Sequence, residues 1–153
     1  MQNIKKIYLG SDHAGFLLKE KIKDFLKSSS YIYEDIGPQE YVAGDDYPDY
    51  AVLVANQVSA TKSLGILICA SGVGMCITAN KIRGIRAVNA YNTKIAQKSR
   101  EHNNTNILCL GQDYIDADTA IEIVKTWLFT DASLEEKHRR RVSKISRSEN
   151  GSI

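Results

Sequence analysis

The stretch Ile66-Leu67-Ile68-Cys69-Ala70-Ser71-Gly72-Val73-Gly74 puts a thiol at the end of an apolar run, with a two-glycine loop directly behind it. The residues that follow, Met75-Cys76-Ile77-Thr78-Ala79-Asn80-Lys81, read as a helix. In a strand–loop–helix turn the loop N–H groups and the helix dipole favour negative charge. Cys69 therefore stands where a thiolate is favoured, beside a ready anion site. A cysteine after apolar residues is also a common small core residue; the glycine loop is what favours chemistry here. Two familiar uses of such a turn fail on the residues. A cysteine phosphatase needs arginine six residues after the nucleophile, where this chain has Met75. A G-x-G-x-x-G dinucleotide fingerprint needs glycine at the place of Ile77, and the next strand, Arg86-Ala87-Val88-Asn89-Ala90, offers no acidic residue for a ribose. The loop suits a smaller anion.

A second group of residues is Gly10-Ser11-Asp12-His13-Ala14-Gly15. Asp12 and His13 read either as capping chemistry for the following helix or as a proton-moving histidine oriented by its neighbour. His102-Asn103 lies in a polar helix-ending loop, a common place for such residues without function. Asp45-Asp46-Tyr47-Pro48 reads as a turn with Pro48 in the first turn of a helix, Tyr47 being a pocket wall or ordinary packing. In Lys137-His138-Arg139-Arg140-Arg141, residues 137 and 141 share a helix face at i, i+4. That run is a solvated face or a phosphate clamp; Glu135 and Glu136 dilute it, and no aromatic residue interleaves.

These residues need elements to hold them. Strand patterns over Ile4–Gly10, Tyr31–Asp35, Leu64–Cys69, Arg86–Ala90 and Asn106–Leu110 alternate with helical ones over Ala14–Ser28, Asp49–Ala60, Gly72–Lys81, Asn92–Glu101, Ala117–Leu128 and Ser133–Ser146. Leu18, Ile22, Phe25 and Leu26, and then Ala51, Val54, Ala55 and Val58, form apolar stripes. Alternation with short connections predicts an α/β domain with a parallel sheet covered on both faces. Ligands bind at the carboxyl ends of such strands, which is where Ser11–His13 and Cys69–Gly72 fall. By simple topology His102 and Asn103 belong at the opposite edge, reaching that pocket only from a second chain.

The 153 residues are one domain's length, 43% hydrophobic and 25% charged, and no linker or repeat interrupts them. A net charge of +2 is too small to argue for nucleic acid. No apolar run reaches a membrane span, and the N-terminus lacks the features of a signal peptide, so a cytoplasmic protein is expected. Three cysteines without a C-x-x-C pair read as free intracellular thiols. The scattered histidines predict no metal site.

Taken together, Gly10-Ser11-Asp12-His13-Ala14-Gly15-Phe16, Asp46-Tyr47-Pro48, Gly65–Gly74, Ala79-Asn80-Lys81, Gly84-Ile85-Arg86-Ala87 and Ser99–Asn106 stand in the order and spacing of one family. The chain resembles the RpiB/LacA/LacB sugar-phosphate isomerases, and in particular ribose-5-phosphate isomerase B, from the first strand to about Val142. The resemblance implies a Rossmann-like three-layer sandwich with a five-stranded parallel sheet, and interconversion of D-ribose 5-phosphate and D-ribulose 5-phosphate in the non-oxidative pentose phosphate pathway. It implies no cofactor and no metal. It also implies a homodimer or dimer of dimers with shared active sites, the C-terminal helix and tail (about 133–153) packing on or across the dimer.

By the same resemblance, His102 with Asp12 assists ring opening, and Cys69 is the general base passing a proton between C2 and C1. The Ala70, Ser71, Gly72, Val73 and Gly74 loop holds the enediolate oxygen through its N–H groups and the Ser71 hydroxyl. Ser11, Tyr47 and Asn103 line the sugar, while His13, Lys137 and Arg141 meet the phosphate. Members without the cysteine carry a glutamate where this chain has Met75. Lys137 and Asp113 depart from the arginines often found at those places, and a carboxylate at 113 must turn away from a phosphate or the site is rearranged. A six-carbon substrate, allose 6-phosphate or galactose 6-phosphate, is the nearest alternative; a non-catalytic phosphate-sensing module is the other.

Overall fold

The computed structural model describes residues 5–152. Five strands, β1 (Ile7–Ser11), β2 (Tyr33–Asp35), β3 (Leu64–Cys69), β4 (Ala87–Asn89) and β5 (Ile107–Gly111), form one sheet in the order β2-β1-β3-β5-β4. Every pairing is parallel. The helices between and after them are α1 (Phe16–Ser28), α2 (Tyr47–Thr61), α3 (Val73–Ala79), α4 (Thr93–Asn103), α5 (Ala117–Phe129) and α6 (Glu136–Ser148). Ile4 and Ile153, at the ends of the expected first strand and the tail, lie outside the described residues.

The two faces of the sheet follow the period of two that a strand imposes. Ile7, Leu9, Ile66, Ile68, Leu108 and Leu110 pack with Leu18, Ile22 and Leu26 of α1 and with Ile123, Val124 and Trp127 of α5. Tyr8, Leu67, Cys69, Ile107 and Cys109 point the other way, against Val54, Ala55 and Val58 of α2 and Met75 and Ala79 of α3. Leaving β1, the chain crosses to β2 on one side and, after α2, to β3 on the other. The crevice outside the carboxyl ends of β1 and β3 is therefore the switch point where open α/β sheets bind ligands.

Two departures from the sequence expectation have local causes. The helix expected from Ala14 begins instead as a 3-10 turn at His13–Gly15, because Asp12 Oδ1 accepts the Gly15 N–H at 3.1 Å and tightens the entry. The last helix starts at Glu136 rather than Ser133, because the Ser133 N–H donates to the Glu101 carbonyl at 2.9 Å and pins the preceding segment to the end of α4.

Candidate active site

At the switch point, Ser11 of β1 pairs with Ile68 of β3, which places Asp12 and His13 beside Cys69 and its loop. Ser11 is fully buried and its hydroxyl has no protein partner among the described residues. A buried hydroxyl left unmatched is costly, and such an atom at a strand end marks a place for a ligand group. Asp12 is buried as well; burial pushes its carboxyl up, against the opposing Gly15 N–H bond.

His13 is oriented, but by a different carboxylate from the neighbour the sequence favoured. Asp45 Oδ1 lies 2.7 Å from His13 Nδ1 and accepts the His13 backbone N–H at 2.8 Å. Hydrogen bonding to Asp45 raises the His13 pKa, so the imidazole holds its proton to higher pH than an isolated histidine. Burial pushes the Asp45 carboxyl up, yet the bonds from His13, together with Tyr50 and the His13 charge, leave the net value lowered. Nothing in the sequence spacing pairs residues 13 and 45; a three-dimensional turn joins them. Asp12, His13 and Asp45 bring ligand-type atoms within 4.8 Å of one another, but Nδ1 and Oδ1 are already committed to each other.

The loop after Cys69 is built by close approach. Gly72 adopts φ +79°, a conformation that glycine takes without strain. The Ser71 carbonyl lies across Gly111 of β5, where a Cβ would stand 2.5 Å from the Ser71 oxygen. The Tyr47 ring covers Gly74. Cys69 is buried, and its Sγ accepts the Gly72 N–H at 3.1 Å. The Ser71 hydroxyl accepts the Val73 N–H at 3.2 Å. Two of the N–H groups assigned to an oxyanion by resemblance thus serve inside the loop, one of them on the thiol itself. Met75, where other members carry a glutamate, is fully buried against α2. Asp113 is exposed, and its backbone N–H donates to the Ala70 carbonyl at 3.0 Å.

The remaining residues form a second group. Because α4 runs back to the amino end of the sheet, His102 and Asn103 lie beside the start of β4: Arg86 Nε donates to the Asn103 and Asn104 carbonyls at 3.1 and 2.9 Å. His102 stacks on His138 of α6, with centroids 4.2 Å apart and planes 5° from parallel. Burial pushes the His138 pKa down and the neighbouring His102 pushes the same way. His102, Ser133, His138, Arg139 and Val142 line a cleft. Lys137, one turn before Arg141 on α6, pairs with Glu135 at 2.8 Å. The site residues expected from the sequence therefore fall into two groups at opposite ends of the sheet.

This geometry can be set beside known proteins. The family model described as ribose/galactose isomerase matches residues 7–145. The chain belongs to the ribose/galactose isomerase family. Within it, the chain is 42% identical over 146 residues to the probable ribose-5-phosphate isomerase B of Mycoplasma genitalium, covering 94% of this chain and 95% of that protein. Among solved structures it is similar to ribose-5-phosphate isomerase B of Clostridium thermocellum, with TM-score 0.91 and 43% identity over 95% of this chain and 98% of the other. The Mycoplasma genitalium ribose-5-phosphate isomerase B structure with bound ribulose 5-phosphate matches with TM-score 0.92 and 40% identity, over 96% of this chain and 97% of that one. The fold and family expected from the residues are those found. Among the described residues, no helix is long and apolar enough to cross a membrane.

Proposed function

We propose that the chain interconverts D-ribose 5-phosphate and D-ribulose 5-phosphate through a cis-enediolate, in the cytoplasm and as a step of the non-oxidative pentose phosphate pathway. The observation that carries this reading is the near full-length likeness to a relative whose structure holds ribulose 5-phosphate. The same likeness favours a five-carbon substrate over allose or galactose 6-phosphate.

In the proposed site, Cys69 from one chain is the base that moves the proton between C2 and C1. The Ser71 hydroxyl, which accepts within the loop and keeps its own proton to donate, and the free N–H groups of Ala70–Gly74 receive the negative oxygen of the enediolate. Ser11, Asn103 and Tyr47 hold the sugar. His102 and Asn103, at the wrong end of the sheet to reach their own Cys69, come from a second copy. The partner's His102 and this chain's Asp12, whose burial makes it readier to hold a proton, open the furanose ring. Lys137 and Arg141 of the same partner face the phosphate with His13. The assembly is a homodimer or a dimer of dimers, with helix 136–148 packing across it. Neither a metal nor an organic cofactor is required for this proton transfer.

The test is turnover of ribose 5-phosphate, allose 6-phosphate and galactose 6-phosphate by the purified protein with a chelator present. Ribose 5-phosphate should be isomerised and activity should survive the chelator. Absence of ribose 5-phosphate isomerisation would overturn the proposal.

The His13–Asp45 pair gives this site a pH signature. A histidine with a raised pKa keeps its charge, and its share of stability and phosphate attraction, below its unfolded value near ~6.5 and loses both as pH rises through the raised value. KM for ribose 5-phosphate should therefore climb on the alkaline side. In Asp45→Asn, which removes the main cause of the shift, the climb should move to lower pH. An unchanged KM–pH profile would remove His13 from phosphate binding.

A further inference from the structure

The three carbonyls from the last residue of β3 onward are satisfied in different ways. The Cys69 carbonyl accepts the Gln112 N–H at 2.9 Å, and the Ala70 carbonyl accepts the Asp113 N–H at 3.0 Å. The next backbone donor along that turn, Tyr114 N–H, is spent on Gly111 at 3.1 Å. The third carbonyl, that of Ser71, is held instead by two side chains from β4 and the turn after it. Asn89 Nδ2 and the Tyr91 hydroxyl each donate to it at 3.2 Å. Asn89 Nδ2 also donates to the Tyr91 oxygen at 2.9 Å, which closes a three-membered network. The amide orientation follows from its partners, since the reversed one would set Asn89 Oδ1 against the Ser71 oxygen.

The other end of the same peptide unit is the Gly72 N–H, which donates to Cys69 Sγ at 3.1 Å. A peptide unit is planar, with its C=O and N–H on opposite sides, so fixing the carbonyl fixes the direction of the N–H. Gly72, at φ +79°, has no side chain to restrict rotation of that plane, so an outside anchor is needed. Donors on the carbonyl also polarise the peptide and make its N–H a stronger donor. Such a bond favours a charged acceptor over a neutral one.

We infer that Asn89 and Tyr91 are positioning residues for the reaction: through the Ser71–Gly72 peptide they hold an N–H donor on the Cys69 sulfur. This rests on Cys69 being the base. Neither side chain hydrogen-bonds to the thiol. Tyr91 is 39% exposed, so the loss of its hydroxyl alone leaves the core intact.

The experiment compares wild type, Tyr91→Phe, Asn89→Ser and Cys69→Ser. It reads kcat and KM for ribose 5-phosphate, and the rate of Cys69 alkylation by iodoacetamide at fixed pH without substrate, followed on the Cys69 peptide. Loss of one neutral hydrogen bond in Tyr91→Phe should lower both kcat and the alkylation rate about 3- to 10-fold, with KM nearly unchanged. Asn89→Ser, which removes both the donor to the Ser71 carbonyl and the donor to the Tyr91 oxygen, should lose more of both. An unchanged kcat and alkylation rate in both variants would overturn the inference. So would a faster alkylation of Cys69, which marks a loop merely loosened. Retained activity in Cys69→Ser would instead remove Cys69 as the base, whereas the alkylation rates would still report whether the peptide holds the thiol.

Discussion

Cys69→Ser should lose roughly 10²- to 10⁴-fold in kcat, the range that a positioned general base supplies, while the protein stays folded. The second half of that expectation follows from the hydrogen bond to the thiol. Cys69 is buried and accepts the Gly72 N–H, so an alanine there would leave a buried donor unmatched at a cost of about 1–3 kcal/mol. A serine oxygen keeps an acceptor in nearly the same volume and isolates the chemical effect. A hydroxyl gives up its proton far less readily than a thiol, so the loop remains but the base does not. Met75, buried among apolar side chains, supplies no substitute carboxylate. Thermal unfolding and steady-state kinetics on the same preparation check both halves. A kcat close to that of wild type would mean that another group moves the proton.

His102→Ala should also lose about 10²-fold or more with ribose 5-phosphate, and the loss should depend on the side from which the reaction is started. Ribose 5-phosphate is a furanose whose ring must open. Ribulose 5-phosphate cannot close a furanose because its O5 carries the phosphate. If His102 opens the ring, the variant's consumption of ribose 5-phosphate becomes limited by spontaneous ring opening and stops scaling with enzyme concentration. Conversion of ribulose 5-phosphate continues to scale with it. Equal losses from both sides, each proportional to enzyme, would place His102 in the proton transfer instead. The ring of His102 is fixed by its parallel stack on His138, and its side chain is partly exposed, so truncation should leave the fold standing.

The parts of the molecule that could be read from the sequence are those set by periodicity. The third strand runs over Leu64–Cys69 as its apolar run requires, and the stripe Ala51, Val54, Ala55 and Val58 is wholly buried. Asn92 caps α4 through the Ile95 N–H, as an asparagine before a helical pattern should. The separation of His102 from Cys69 followed from the alternation of strands and helices. What stayed hidden were contacts between segments that no local pattern links. Asp45 looked like turn chemistry, yet it is the partner of His13. Asn89 and Tyr91 carry no local pattern that links them to Cys69; their shared hold on the Ser71 carbonyl exists because β4 and the β3 loop meet across β5. The two late helix starts arose from single hydrogen bonds, Asp12 to Gly15 and Ser133 to Glu101, which outweigh local helical preference.

That Cys69 and His102 serve one reaction from two chains is tested most directly by subunit exchange between Cys69→Ser and His102→Ala, assayed with ribose 5-phosphate. In a two-fold dimer with shared sites, each mixed dimer has one doubly altered site and one intact site. Random exchange of equal amounts should therefore restore about one quarter of wild-type activity, although each parent is nearly inactive. No recovery, with mixed dimers confirmed by native mass spectrometry, would contradict a site built from two chains.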